Sequence, residues 1–230
     1  MQVLANHDRL SDERRAVTGG EVDVRLRRYL DELYRWNLRV NLTAVPRQEA
    51  ENRHAGEARH LLASAAPAPG ARVVDIGAGG GVPGLVMAIL RPDLRVVLVE
   101  ADRRKAGFLL HAAAVCGCAQ VDVVSRRAEE VGHDPAHRGG YDLAVSRATA
   151  PAPVLCELAL PLLRAGGRLV ALVTDAPRDA RAAATAAAAC GGGTPEVVAP
   201  GILAITKVGP TPERFPRRPG VPARRPLGGP

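Results

Sequence analysis

The sequence predicts an α/β fold in which helices cover both faces of a mostly parallel sheet with an antiparallel last strand. Three observations favour this fold. Short apolar runs alternate with helical segments from residue 72 onward, and the first run passes directly into a glycine-rich turn. Before residue 67, apolar residues recur at helical spacing, which adds a helical N-terminal extension. The 230 residues suffice for one domain with such an extension.

Two helical segments are predicted ahead of the first strand, at residues 22–38 and 49–64. Residues 1 to about 20 are polar, and we expect them to be poorly ordered. Proline and glycine at residues 67–70 interrupt the chain before the sheet begins. The predicted organisation is therefore an extension at residues 1–66, a core at 67–209 and a basic tail at 210–230.

The core region alternates between strand and helix patterns. The first strand ends at an aspartate and the second spans 94–100; later strands are predicted at 121–125, 141–146, 168–173, 196–198 and 201–208. Helices are predicted at 103–115, 153–163 and 178–190. The tail contains many prolines and arginines, and this composition predicts no packed secondary structure.

The turn after the first strand points to a cofactor. Asp75 is followed by Gly77, Gly79 and Gly81, and glycine allows positive φ and close approach of a ligand to the backbone. Glu100 ends the second strand about 20 residues later, the distance at which a carboxylate can accept a ribose hydroxyl. A strand, a glycine-rich turn and a helix start in this order form a site for a nucleotide-type cofactor.

The turn by itself leaves two cofactor classes open. The spacing G-x-G-x-x-G of dinucleotide-binding Rossmann folds can be found at Gly79, Gly81 and Gly84. The spacing D-x-G-x-G-x-G from Asp75 resembles the first motif of Rossmann-like S-adenosylmethionine (SAM)-dependent methyltransferases. In that class, the aspartate is placed to hold the turn and the amino-acid end of the cofactor. An NAD-dependent oxidoreductase is less favoured, because no Tyr-x-x-x-Lys proton donor is present.

Charge and cysteine content suggest the partner and the compartment. The 31 Lys and Arg against 24 Asp and Glu give a net charge of +7, which favours a polyanion such as RNA, although an arginine-rich composition explains it equally well. The cysteines lack the spacing of a metal site and are interpreted as reduced structural thiols, which indicates the cytoplasm. Neither a signal peptide nor an apolar run of membrane-spanning length is found.

Six short motifs, in order, resemble the bacterial glucose-inhibited division protein B family, the 16S ribosomal RNA guanine-N7 methyltransferases. They are Trp36-Asn37 with Asn41-Leu42-Thr43, the RHLLAS segment at 59–64, the glycine turn at 75–84, SRRAE at 125–129, SRA at 146–148, and the basic PRRPGVP segment at 216–222. The resemblance covers almost the whole chain and implies SAM as cofactor and small-subunit ribosomal RNA as partner.

Carried over residue by residue, the resemblance implies cofactor contacts at Gly77 and Val82, contacts near the adenine from Ala128 and Glu129, and one from Arg147. Together with the turn, the predicted cofactor residues are Asp75, Gly77, Gly79, Gly81, Val82, Glu100, Ala128, Glu129 and Arg147. Arg147 and Arg127 are the catalytic candidates. The RNA-binding candidates are Asn41, Arg217, Arg218, Arg224 and Arg225.

The sequence also departs from the family pattern. The fifth strand of the family ends in a lysine, whereas Val173 stands in the corresponding stretch here. The aspartate of the family's R-H-x-L-D-S helix is Ala63, and the last hairpin carries no basic pair before Ile202. Two alternatives therefore remain open: a divergent paralogue that methylates another RNA or a small molecule, and a non-catalytic RNA-binding protein that keeps the fold.

Overall fold

The computed structural model describes residues 19–147 and 149–229, and within them seven strands form one sheet. The strands are β1 Arg72–Ile76, β2 Arg95–Val99, β3 Val121–Val124, β4 Tyr141–Arg147, β5 Leu163–Leu172, β6 Glu196–Ala199 and β7 Ile202–Thr206. Their order is β3-β2-β1-β4-β5-β7-β6. The first five run parallel, while β7 is antiparallel to β5 and β6 is antiparallel to β7. The predicted fold class is confirmed.

The helices are α1 Gly19–Asn37, α2 Arg47–Ala50, α3 Gly56–Ala65, α4 Gly84–Leu90, α5 Arg103–Val115, α6 Ala128–Val131, α7 Ala152–Ala159, α8 Ala176–Ala189 and α9 Val221–Arg224. A π-helical turn at Glu51–Ala55 joins α2 to α3, so the predicted segment 49–64 is one bent helical stretch. None of the helices in the described ranges combines the length and the apolarity that a bilayer crossing needs.

The sheet separates two apolar clusters because neighbouring strand residues point to opposite faces. On β1, Val73 packs into the cluster that contains α1, α3, α4 and α5, while Val74 packs into the cluster that contains α7 and α8. Both residues are fully buried. The described part of the N-terminal extension therefore shares its core with the sheet, and the prediction for residues 1 to about 20 falls mostly outside the described residues.

Strand β5 begins earlier than predicted. Helix α7 and a short 3₁₀ turn end at Leu162, and Leu163 already pairs with Tyr141 of β4. The register between β4 and β5 then shifts before Arg168 pairs with Leu143. The sequence Ala-Gly-Gly at 165–167 is therefore an irregularity inside the strand rather than a stop ahead of it.

The tail is packed, so the prediction that it lacks packed secondary structure is wrong. Phe215 and Pro222 are buried, and α9 follows Gly220. The guanidinium of Arg138 donates to the carbonyl oxygens of Phe215 at 2.9 Å and Thr211 at 3.0 Å. Composition did not reveal this order, because the groups that hold the tail lie on distant elements of the core.

Candidate active site

A cleft opens at the carboxyl ends of β1, β2, β4 and β5. The chain leaves β1 towards β2 on one side, while β4 lies on the other side, and such a change of direction creates a crevice outside the strand ends. The cleft has a volume of about 1540 Å³. Small-molecule pockets usually measure roughly 300–1,000 Å³, so this cleft has room for a cofactor and part of a second reactant.

The glycine turn forms the floor of the cleft. Gly77, Gly79 and Gly81 have φ values of +70°, +54° and +89°, a region that side-chain-bearing residues rarely adopt. A Cβ atom on Gly77 would overlap the side chain of Thr149, which follows β4. Gly77, Gly79 and Val82 line the cleft, whereas Gly81 faces Leu85 and Leu109 in the core.

Asp75 supports this turn from below. Its Oδ2 accepts a hydrogen bond from the Gly84 amide at 2.8 Å, while Oδ1 is buried and has no hydrogen-bond partner in the described residues. Burial raises the pKa of Asp75 from 3.8 to about 7, and the Gly84 amide and the charge of Arg147 oppose this only in part. Asp75 is not among the residues that line the cleft, so its effect on a cofactor passes through the turn.

The N-terminal extension covers the turn from above. The Tyr29 hydroxyl donates to the Gly80 carbonyl oxygen at 2.6 Å, and a Cβ on Gly80 would lie 2.9 Å from the Leu42 carbonyl oxygen. Asn37 orders the covering loop, since its Oδ1 accepts from the amides of Leu42 at 2.8 Å and Thr43 at 3.1 Å.

The structure places Asn41 outside the cleft, and its contact with RNA stays a prediction. Asn41 is exposed and is not among the residues that line the cleft. Asn37, which belongs to the same motif, makes the hydrogen bonds that order the loop. The sequence pattern contains both asparagines and does not distinguish the inward one from the outward one.

Glu100 and the start of α6 form one side of the cleft. Glu100 Oε2 accepts from the Gly79 amide at 2.9 Å and Oε1 accepts from the Asp102 amide at 2.8 Å, so the carboxylate is fixed beside the turn. Ala128 and Glu129 line the same side. The exposed Arg127 stands at the rim and precedes α6.

Arg147 lies at the end of β4, on the opposite side of the cleft from Glu100. Its Nη1 is 2.5 Å from Glu57 Oε2 and 3.3 Å from His54 Nδ1. The other ring nitrogen of the fully buried His54 is 3.3 Å from Thr43 Oγ1. Partial burial acts against ionisation of Glu57, but hydrogen bonding to His54 and the charge of Arg147 outweigh it and hold the pKa below its usual value.

No motif in the sequence indicates the partners of Arg147. Glu57 and His54 belong to the N-terminal extension and lie far from Arg147 along the chain. A charged residue on a helix that the sequence predicts to be exposed normally faces solvent, and its ion pairs contribute little. For the same reason, the sequence does not indicate which acidic groups the basic tail contacts. Gly220 and Ala223 of the tail line the cleft, which no motif indicated.

Comparison with known proteins identifies the family. The model described as "GidB: rRNA small subunit methyltransferase G" matches residues 23–200. The chain belongs to this family. It is a SAM-dependent methyltransferase. Its four cysteines are free and buried, which agrees with their interpretation as structural thiols.

Individual relatives match at similar length. The ribosomal RNA small subunit methyltransferase G of Roseiflexus castenholzii is 43% identical over 210 residues, which cover 87% of this chain and 89% of that protein. The protein of the same name from Chloroflexus aggregans is 44% identical over 210 residues, with 87% and 88% covered. A crystal structure of an MtNAS mutant matches with a TM-score of 0.53 at 13% identity, over 83% of this chain and 74% of that one, which supports the fold.

The cleft fits SAM. Gly77 and Gly79 leave the floor free of side chains, and the fixed Glu100 carboxylate lines the cleft beside them, where it is the candidate acceptor for a ribose diol. Ala128 and Glu129 are the candidates at the adenine, and Arg147 lies across the cleft from them. SAM supplies an activated methyl group on a sulfonium, while the protein orients the two reactants.

We predict that Asp75 makes stability depend on pH. Because the pKa of Asp75 is raised in the folded state, the protonated side chain contributes fully to the free energy of unfolding below about pH 4. This contribution is lost as the pH rises to about 7. The Asp75→Asn variant keeps an acceptor for Gly84 but cannot ionise. The unfolding free energy of the wild type should therefore decrease relative to this variant between pH 4 and 7, measured by urea denaturation.

Asp31→Asn is the control, because this carboxylate is 62% exposed in a surface ion pair with Arg47. It should keep the wild-type pH dependence of the unfolding free energy. Parallel stability curves for the wild type and Asp75→Asn would contradict the prediction.

We further predict that Glu57→Gln reduces kcat/KM for methyl transfer about tenfold, because a neutral amide holds the Arg147 guanidinium less firmly. Glu49→Gln is the matched control: it removes the same charge from a neighbouring turn, where Glu49 is 61% exposed and 3.8 Å from Arg53. Steady-state kinetics with SAM and the RNA substrate give the comparison. Equal kcat/KM values for the two variants would show that Glu57 does not position Arg147.

Proposed function

We propose that this cytoplasmic enzyme transfers the methyl group of SAM to N7 of a guanine in 16S ribosomal RNA of the small subunit. The observation that carries the proposal is the placement of Arg147 across the cleft from Glu100, with space between them for two reactants. The printed name of the relatives, ribosomal RNA small subunit methyltransferase G, supports the class of substrate.

Methyl transfer to guanine N7 needs no general base. The N7 lone pair carries no proton, so the protein needs to align the base with the methyl group and stabilise the shifting charge. Arginine is suited to the acceptor edge of guanine, where N7 reacts and O6 stays available for a hydrogen bond. Arg147 is the proposed catalytic residue, fixed by Glu57, and Arg127 at the rim is the second candidate.

The rim of the cleft offers cations to an RNA backbone. Lys105, Arg127 and Arg178 line it from three different elements, and their charges would neutralise phosphates without reading sequence. On the tail, Arg218, Arg224 and Arg225 are exposed and remain proposed phosphate contacts. Arg217 is not proposed as a phosphate contact, because its guanidinium pairs with Glu157, with 2.6 Å between Nη2 and Oε2.

One observation favours a second candidate, a paralogue that methylates another RNA or a small molecule. Leu172 and Val173 line the cleft at the end of β5, where the family resemblance implies a lysine. The cofactor side of the cleft is the same in both proposals. They differ in what the apolar end of β5 presents to the second reactant.

The test is methyl transfer from SAM to small ribosomal subunits and to naked 16S RNA, each from a strain that lacks the family enzyme. Cleavage at N7-methylguanine followed by primer extension locates the product. We expect one methylated guanine, and loss of Arg147 in Arg147→Ala should lower the rate by about a hundredfold. Methyl groups on another atom, or SAM binding without transfer to either RNA, would favour the paralogue.

A further inference from the structure

The C-terminal tail is fastened to the core by a buried ion pair. Glu157 on α7 is fully buried, and its carboxylate accepts hydrogen bonds from the backbone amide of Arg217 at 2.8 Å and from Arg217 Nη2 at 2.6 Å. A third contact joins Arg217 Nε to Glu157 Oε1 at 2.8 Å. A buried carboxylate with this many donors is stable only while its partner stays in place, so Arg217 holds the tail firmly.

A second fastening lies at the cleft itself. The Oε1 atom of Glu129 accepts a hydrogen bond from the backbone amide of Gly220 at 2.8 Å, and Glu129 is buried. Gly220 has a φ of +77°, which turns the chain into α9. One oxygen of the carboxylate predicted at the adenine is thus bound to the tail.

Beyond this fastening, the tail borders the cleft. Gly220, Ala223, Pro226 and Gly229 line it. These four residues have small or rigid side chains, so they present mainly backbone and ring atoms, which can pack against a flat aromatic group. Gly220 lies beside Glu129, whereas a Cβ on Gly228 would lie 3.0 Å from Thr185 of α8, so the segment runs from α6 towards α8. Arg224 and Arg225 of the same segment are exposed.

We infer that residues 220–229 form a wall of the SAM pocket that begins beside Glu129, and that Arg217 is a positioning residue for this wall. Neither Arg217 nor Glu157 is among the residues that line the cleft, so any effect on SAM affinity must act through the tail. The inference rests on the use of SAM and is independent of which base is methylated.

The experiment measures SAM binding by calorimetry on the full chain with Arg217→Ala, Arg217→Lys and Arg164→Ala. We expect Arg217→Ala to bind SAM about tenfold more weakly, since it loses the contacts of one wall. Arg217→Lys keeps a positive charge for Glu157 but lacks the planar guanidinium, so its affinity for SAM should lie between those of the wild type and Arg217→Ala. Arg164→Ala, which opens an exposed pair with Asp142 at the start of β5, should match the wild type.

Hydrogen exchange of the wild type, with and without SAM, tests the wall without any substitution. We expect SAM to slow amide exchange in residues 220–229. Unchanged exchange in this segment, or an affinity of Arg217→Ala within about twofold of the wild type, would overturn the inference. If the wild type itself does not bind SAM, the cofactor assignment and the wall are both refuted. If the wild type binds SAM and transfers methyl groups but either of these two negative results is obtained, only the wall is refuted.

Discussion

In the turn after β1, three of the five residues 77–81 must adopt left-handed backbone conformations, and the rest of the site depends on that constraint. Two contacts impose it: Asp75 accepts the Gly84 amide below the turn, and Tyr29 donates to the Gly80 carbonyl above it. Glu100 then fixes the side of the turn through the Gly79 amide. The N-terminal helices are therefore part of the cofactor site, although they lie outside the alternating α/β core.

The same extension reaches the other side of the cleft. Glu57 contacts Arg147, and His54 connects this pair to Thr43 in the loop that Asn37 orders. The floor of the cleft and Arg147, the proposed catalytic residue, are thus positioned by the same extension. A change in the packing of the extension should therefore alter the parts of the cleft that hold both reactants.

Much of the fold was predictable because its signals are local. Apolar runs such as the one that follows Arg95 in β2 identify buried parallel strands, and the glycines after Asp75 identify the turn by their spacing. Gly77, Val82, Ala128 and Glu129, which the family resemblance implies as cofactor contacts, line the cleft, and their contact with SAM stays a prediction.

The features that the sequence does not reveal concern residues whose role depends on distant partners. Arg217 looks like a solvated cation in sequence, but it is bound to Glu157, which lies 60 residues away along the chain. Asn41 and Asn37 share one motif, and only the backbone geometry of the loop shows which of them turns inward. Pairing over such separations is decided by the tertiary fold, and a single sequence contains no record of it.

A crystal structure of the full chain with S-adenosylhomocysteine would test the central claim most directly. We expect the ribose hydroxyls to contact Glu100, the adenine to lie between Ala128 and Gly220, and the amino-acid end to lie over Gly77. A ligand bound elsewhere in the cleft, with the Glu100 carboxylate contacting only the amides of Gly79 and Asp102, would contradict it.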